Sequence, residues 1–261
     1  MHESAHIHVD NYAQQLIAAP DPTQLLESVR QWNTPSPARV CAYFALRHRF
    51  AEDQLQQAID RGVRQIILLG AGLDSLALRR PALAKEARLV EVDHPDSQSW
   101  KLARLEELGL VTPSVIYVPV DFGSDNLEAR LNASGLGLDE PTYFSWLGVT
   151  QYIDGAASDA TLRFIASRPR GSEVVFDFIV RNDLLSSLER AFSDAASASS
   201  AARGEPWLSY FDPNELELRL ASLGFTRIQR LTPQLAASRY YVGQPSHVRP
   251  LEAWQLVSAS V

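Results

Sequence analysis

The feature that most limits what this chain can fold into is a recurring beat of short, nearly unbroken apolar runs, each followed by a stretch of helical spacing. The runs cover 65–69, 88–92, 115–118, 142–147 and 173–179. They are too uniformly apolar for half-exposed strands, and glycine or proline separates them from leucine-studded helices such as 97–108. Strands of this kind alternating with helices predict an α/β fold, a doubly wound and mostly parallel sheet covered on both faces. Ligands are then expected at the carboxyl ends of the strands. Before the first run, 12–19, 23–32 and 38–61 read as helical, interrupted by Pro20, Pro22, Pro35 and Pro37. After the fifth, the Ser/Ala-rich 193–202 leaves open a mobile lid or a weakly amphipathic helix. Asp212-Pro213-Asn214-Glu215 has the pattern of a capped helix start, and 225–230 and 239–242 are late strand candidates.

With 261 residues the chain is long enough for one large domain. The expected organisation is a single domain over 1–261: a helical cover to 62, a cofactor-binding core over 63–180, covering helices over 181–224, and C-terminal strands over 225–261. A net charge of −7 disfavours a polyanionic partner such as nucleic acid. One cysteine, Cys41, makes no intrachain disulfide and reads as a small buried apolar residue, which suits a reducing cytoplasm. No run approaches the roughly 20 apolar residues of a membrane span, and the first residues lack a signal-peptide pattern.

The most informative segment is Leu68-Leu69-Gly70-Ala71-Gly72-Leu73-Asp74-Ser75, a glycine turn between a strand and a helix. The dinucleotide fingerprint calls for a third glycine where this chain has Ser75. Asp74 is more telling. A helix N-terminus attracts anions, and a carboxylate already there would repel a pyrophosphate. A ligand carrying an ammonium and a sulfonium, S-adenosylmethionine, suits the turn better than NAD; the alternative is that Asp74 only caps the helix. Glu91 and Asp93 lie at the end of the second strand, 21 and 23 residues beyond Gly70. That spacing suits an acid on ribose hydroxyls. Asp121 follows the third strand beside Phe122, a pairing suited to an adenine amino group and ring.

Gly70-Ala71-Gly72-Leu73-Asp74 with Glu91-Val92-Asp93-His94-Pro95 resembles the leucine carboxyl methyltransferase family, a branch of the class I S-adenosylmethionine-dependent methyltransferases. Arg47-His48-Arg49-Phe50, Val120-Asp121-Phe122 and the segment from Trp146 to Ile153 extend the likeness, as do Gly204-Glu205-Pro206-Trp207 and Phe211-Asp212-Pro213. It covers about 36–243. The resemblance implies a seven-stranded Rossmann-like sheet and assigns roles. Arg47 would pair with the cofactor carboxylate, and Gly70, Ala71 and Gly72 would line its methionine and ribose. Glu91 or Asp93 would hold the ribose, Asp121 and Phe122 the adenine, and Leu147 and Gly148 would pass the methionine end. Members acting on protein phosphatase carry a glutamate where this chain has Leu147, so bacterial small-molecule members are the nearer analogy.

Methyl transfer from a sulfonium is an in-line displacement governed by alignment. A carboxylate nucleophile is already ionised, whereas a phenol or alcohol needs a base, most often histidine. Of His2, His6, His8, His48, His94 and His247, three lie in an N-terminus expected to be mobile, and only His48 is placed to act as a base. The want of a clear base favours a carboxylate acceptor; a hydroxyl acceptor served by His48 stays open. Thr150, Gln151 and Tyr152 follow strand four where an acceptor would approach, with Tyr152 as an orienting hydroxyl and Trp207 and Tyr210 as a roof, or else as core. No metal-ligand spacing is present. An NAD-dependent oxidoreductase and a non-catalytic cofactor-binding scaffold are the competing classes. The expected partner is a small-molecule acceptor.

Overall fold

The computed structural model of the chain describes residues 7–17, 37–245 and 248–261. The helix expected over 23–32, together with His2, His6 and His247, lies outside these residues. The strands are β1 (Gln65–Leu69), β2 (Arg88–Asp93), β3 (Val115–Pro119), β4 (Thr142–Trp146), β5 (Glu173–Ile179), β6 (Arg227–Leu231) and β7 (Trp254–Ser260). They form one seven-stranded sheet in the order β3-β2-β1-β4-β5-β7-β6. Only β7 runs antiparallel to its neighbours, pairing with β5 and β6. Every residue of β1, β4 and β5 is buried, as strands covered by helices on both faces must be. The order reverses between β1 and β4, which opens a crevice at their carboxyl ends.

The helices are α1 (Ala13–Leu16), α2 (Pro37–Asp60), α3 (Leu76–Arg79), α4 (Leu83–Glu86), α5 (Pro95–Glu107), α6 (Leu127–Ala133), α7 (Gly155–Ala166), α8 (Ser187–Ala201), α9 (Pro213–Leu223) and α10 (Pro233–Tyr240). Helix α2 buries Val40, Tyr43, Leu46, Phe50 and Leu55, an apolar stripe at helical spacing that lies along the sheet. Asp212 caps α9 by accepting from the Asn214 and Glu215 amides, and Gly224 ends it with φ +107. The Ser/Ala stretch is helical. It forms most of α8, whose small residues let Phe192, Ser193, Ala196 and Ser200 pack inward. Buried Glu189 on α8 accepts from Arg39 of α2 at 2.6 Å, tying the two helices together. The strand expected at 239–242 is absent: Arg239 and Tyr240 complete α10, which Thr232 caps and Pro233 starts. The last strand comes later, at β7. Among the described residues, no helix is long and apolar enough to cross a membrane.

Candidate functional site

Three cavities open at the carboxyl ends of β1, β2, β4 and β5. The first, about 350 Å³, is lined by the turn from Gly70 to Asp74, by Arg47 and His48 of α2, and by Leu147 and Gly148. The second is a cleft of about 690 Å³ with Gly70, Gly72, Asp93, Asp121, Phe122, Gly148 and Tyr152 on its walls. The third, about 180 Å³, is lined by Tyr43, Phe44, Arg47, Gly148, Gln151, Tyr152, Asp177, Trp207 and Trp254 among others. Gly148 belongs to all three.

Gly148 holds this junction through its backbone. Its φ is +72, and a Cβ there would stand 2.8 Å from Arg47 Nη1. Its amide donates to Asp177 Oδ1 at 2.5 Å, so the loop after β4 is latched to β5. A Cβ on Gly70, also at positive φ, would strike Val149 Cγ2. The turn after β1 therefore approaches the loop after β4 because position 70 is glycine, and Arg47 of α2 approaches that loop because position 148 is.

The carboxylates divide. Asp93 accepts from the Gly72 amide in a short bond and from the His94 amide at 2.7 Å, leaving lone pairs toward the cleft its side chain lines. Asp121 accepts from the Gly123 amide and the Ser124 hydroxyl, which hold its carboxyl below the usual range. Asp74 does two things: Oδ1 accepts from the Leu76 amide at 2.7 Å, and Oδ2 lies 3.6 Å from His48 Nδ1 on the first cavity. Glu91 is a correction. It is 2 % exposed and reaches none of the three cavities; it points into the protein, where Lys101 Nζ donates to it at 2.6 Å. Burial pushes its carboxyl up to about 7 against the pull of Lys101. On a strand, residues 91 and 93 share a face, so alternation alone did not separate them. Asp93 sits at the strand's last position, where the chain turns out to the cleft.

The expected acceptor residues divide as well. Gln151, Tyr152 and Trp207 line the third cavity. Thr150 does not: it is fully buried, and its hydroxyl donates to the Asp177 carbonyl at 2.7 Å. Tyr210 stands behind Trp207, ring centroids 6.2 Å apart, its hydroxyl 3.1 Å from Ser197 Oγ, and is not on the cavity wall. His48 lines the first cavity and not the third. Burial pushes its pKa down to about 4, with Asp74 opposing and Arg47 adding, so the imidazole is neutral at pH 7.

Five residues escaped the sequence reading. Tyr43 and Phe44 share a face of α2 with Arg47, a helical spacing that could have revealed them. Asp177 stood out as an acid flanked by apolar residues within β5, whose other acid, Glu173, opens the strand. Trp254 comes from β7, far away in sequence, with no local signal. Asp10 arrives from the N-terminal segment, which is packed down here. Its Oδ2 accepts from Ser75 Oγ at 2.6 Å, Arg79 donates to the same Ser75, and Asp10, Ala13 and Ile17 line the first cavity. His8 stacks on His48 with centroids 5.9 Å apart.

A sequence model describing leucine carboxyl methyltransferases matches residues 1–166. The chain belongs to the leucine carboxyl methyltransferase family. It is 28% identical over 242 residues to YktD of Bacillus subtilis, named as an S-adenosyl-L-methionine-dependent methyltransferase, spanning 92% of this chain and 77% of that one. A like-named Mycolicibacterium gilvum protein is 34% identical over 173 residues, 64% of this chain and 65% of its own length. Among solved structures, a DUF574 family protein from Streptomyces avermitilis superposes with TM-score 0.58 at 18% identity, covering 95% of this chain and 94% of that one. Human N-acetylserotonin methyltransferase, solved with S-adenosylmethionine, gives TM-score 0.52 at 11% identity, covering 97% and 60%. At such identities the structures speak to fold alone: the sheet is that of class I methyltransferases.

The methyltransferase's cofactor is S-adenosylmethionine, and the residues present fit it. The Gly72 amide, which a dinucleotide's pyrophosphate would use, is taken by the Asp93 carboxylate, and Asp74 adds a second negative charge to the same turn. A phosphate-free, cationic ligand suits that turn. Arg47, on the first cavity, keeps a buried Nε–H with no partner among the described residues.

Proposed function

We propose that this methyltransferase moves the methyl group of S-adenosylmethionine to an oxygen of a small molecule seated in the third cavity. The observation that carries the reading is the meeting of three cavities at Gly148. A cofactor laid along the first two, with its adenosine toward Asp93, Asp121 and Phe122 and its methionine toward Arg47 and the Gly70–Asp74 turn, brings its sulfonium to the opening of the third. The bound cofactor supplies an electrophilic methyl group. This chain's residues align the acceptor and exclude water: Trp207 and Trp254 wall the cavity, and Tyr152 borders both it and the cleft. We assign ribose contact to Asp93, adenine contact to Asp121 and Phe122, and the cofactor carboxylate to Arg47. Gly70, Ala71, Gly72, Asp74, Leu147 and Gly148 complete the cofactor cradle. His48, neutral and on the methionine side, takes no base role in this scheme.

Calorimetric titration with S-adenosylhomocysteine tests the site. Asp93→Ala and Asp121→Ala are expected to weaken binding at least tenfold and threefold; unchanged affinity in both would refute the placement. Labelled methyl transferred into a cell extract reports the bond formed, since an ester releases label as methanol in base and an ether keeps it.

A further inference from the structure

The sequence leaned toward a carboxylate acceptor because no base was visible. The third cavity changes that ground. Asp177 is 4 % exposed, lines the cavity, and carries its negative charge at the end where Gly148 opens toward the methyl site. Its Oδ1 accepts from the Gly148 amide at 2.5 Å and its Oδ2 from the Tyr43 hydroxyl at 3.1 Å. Arg47 Nη1 is ion-paired with Asp177 Oδ2 at 3.6 Å, longer than a hydrogen bond, and lines both this cavity and the first. A carboxylate has about four lone-pair directions, so Asp177 retains room to accept from a ligand. Tyr43 stays a donor, because burial and the adjacent Asp177 raise its pKa well above normal. The other cation on the wall, Arg203, is exposed, where solvent and salt screen it. The remaining walls are aromatic: Trp254 stacks on Phe44 with centroids 6.1 Å apart and meets Tyr43 and Trp207 edge-on at 5.1 and 6.0 Å. At about 180 Å³ the space is below the roughly 300–1,000 Å³ of drug-sized sites.

We infer that the acceptor is a small, flat hydroxyarene whose hydroxyl donates to Asp177, and that Asp177 is the base of the transfer. This rests on the methyl-transfer reading above. A carboxylate acceptor would set a second negative charge beside Asp177, whose near cation, Arg47, is already paired with it, whereas a phenol gives Asp177 a donor and the aromatic walls a π-face. In the step, the phenolic oxygen forms its bond to the methyl carbon as the sulfur–carbon bond breaks. The electron pair of that bond stays on sulfur, which becomes a neutral thioether. The phenolic proton passes to the Asp177 carboxylate, which becomes neutral and releases it to water after the product leaves.

The test uses the full chain, labelled S-adenosylmethionine, and monocyclic and bicyclic phenols ranging from fully protonated to fully ionised at the assay pH, with benzoates of matching shape. Label is expected in phenols as a base-stable ether. Asp177→Asn should lose about a hundredfold on protonated phenols, the scale of general-base catalysis, and less than threefold on ionised ones. S-adenosylhomocysteine affinity should stay within threefold of wild type. Label in benzoates alone, an equal loss across the phenol series, or no transfer to any phenol by a protein that binds S-adenosylhomocysteine would overturn the inference. Failure of the wild type to bind S-adenosylhomocysteine at all would instead overturn the methyl-transfer reading beneath it.

Discussion

Glu91 and Asp93 stand two residues apart on β2, yet burial gives them different work. Glu91 and Lys101 are a buried ion pair, and removing one partner strands the other's charge, a loss of about 3–5 kcal/mol. Glu91→Ala is therefore expected to lower stability by that order in denaturant unfolding, whereas Asp93→Ala should cost little stability and much cofactor affinity. At Gly148 the expected effect is selective. Alanine there is strained by about 1–2 kcal/mol at positive φ and pushes against Arg47. The Gly148→Ala protein should bind S-adenosylhomocysteine at least tenfold more weakly, and 5′-methylthioadenosine, which lacks the carboxylate, within threefold of wild type. Equal losses would contradict the role given to Arg47. His48 yields a pH prediction. Its folded pKa of about 4 is below the ordinary 6.5, so its contribution is present above pH 6.5 and is lost as pH falls toward 4. Asp74, Arg47, His8 and Arg79 all bear on it. Thermal melts of His48→Gln should show a shallower fall across that window than wild type, by at most about 1.4 kcal/mol per pH unit.

At the scale of elements, the glycine turn, the acids at strand ends and the capped α9 were legible because each is encoded within a few neighbouring residues. The N-terminal segment was not. The sequence showed helix-compatible residues and histidines expected to be mobile, while the contacts that hold residues 7–17 in place, Asp10 to Ser75 and Arg79, join residues 65 or more apart. Ser75 thus has a local cause that its departure from a glycine fingerprint only hinted at. Asp10→Ala should leave the fold intact and raise the dissociation rate of S-adenosylhomocysteine several-fold in stopped-flow measurements. An unchanged rate would mean that this segment rests on the cofactor cavity without closing it. The third cavity was the least legible element, because α2, β5, β7 and the segment after α8 each contribute only one to three side chains to it.

For the whole molecule, the parallel core could be read from five apolar runs, since burial on both faces leaves no polar alternation to misread. The final strand could not. The 239–242 stretch has strand-like residues, but the Thr232 cap and Pro233 commit it to α10, and β7 is inserted between β5 and β6 from the end of the chain. That insertion also delivers Trp254 to the third cavity. The central claim is that three cavities meeting at Gly148 form one methyl-transfer site for S-adenosylmethionine. The most direct measurement is calorimetric titration of the wild-type protein and Asp93→Ala with S-adenosylhomocysteine and, separately, NADH. A single S-adenosylhomocysteine site, weakened at least tenfold by Asp93→Ala, is expected, with no NADH binding. NADH binding, or S-adenosylhomocysteine binding indifferent to Asp93, would contradict the central claim.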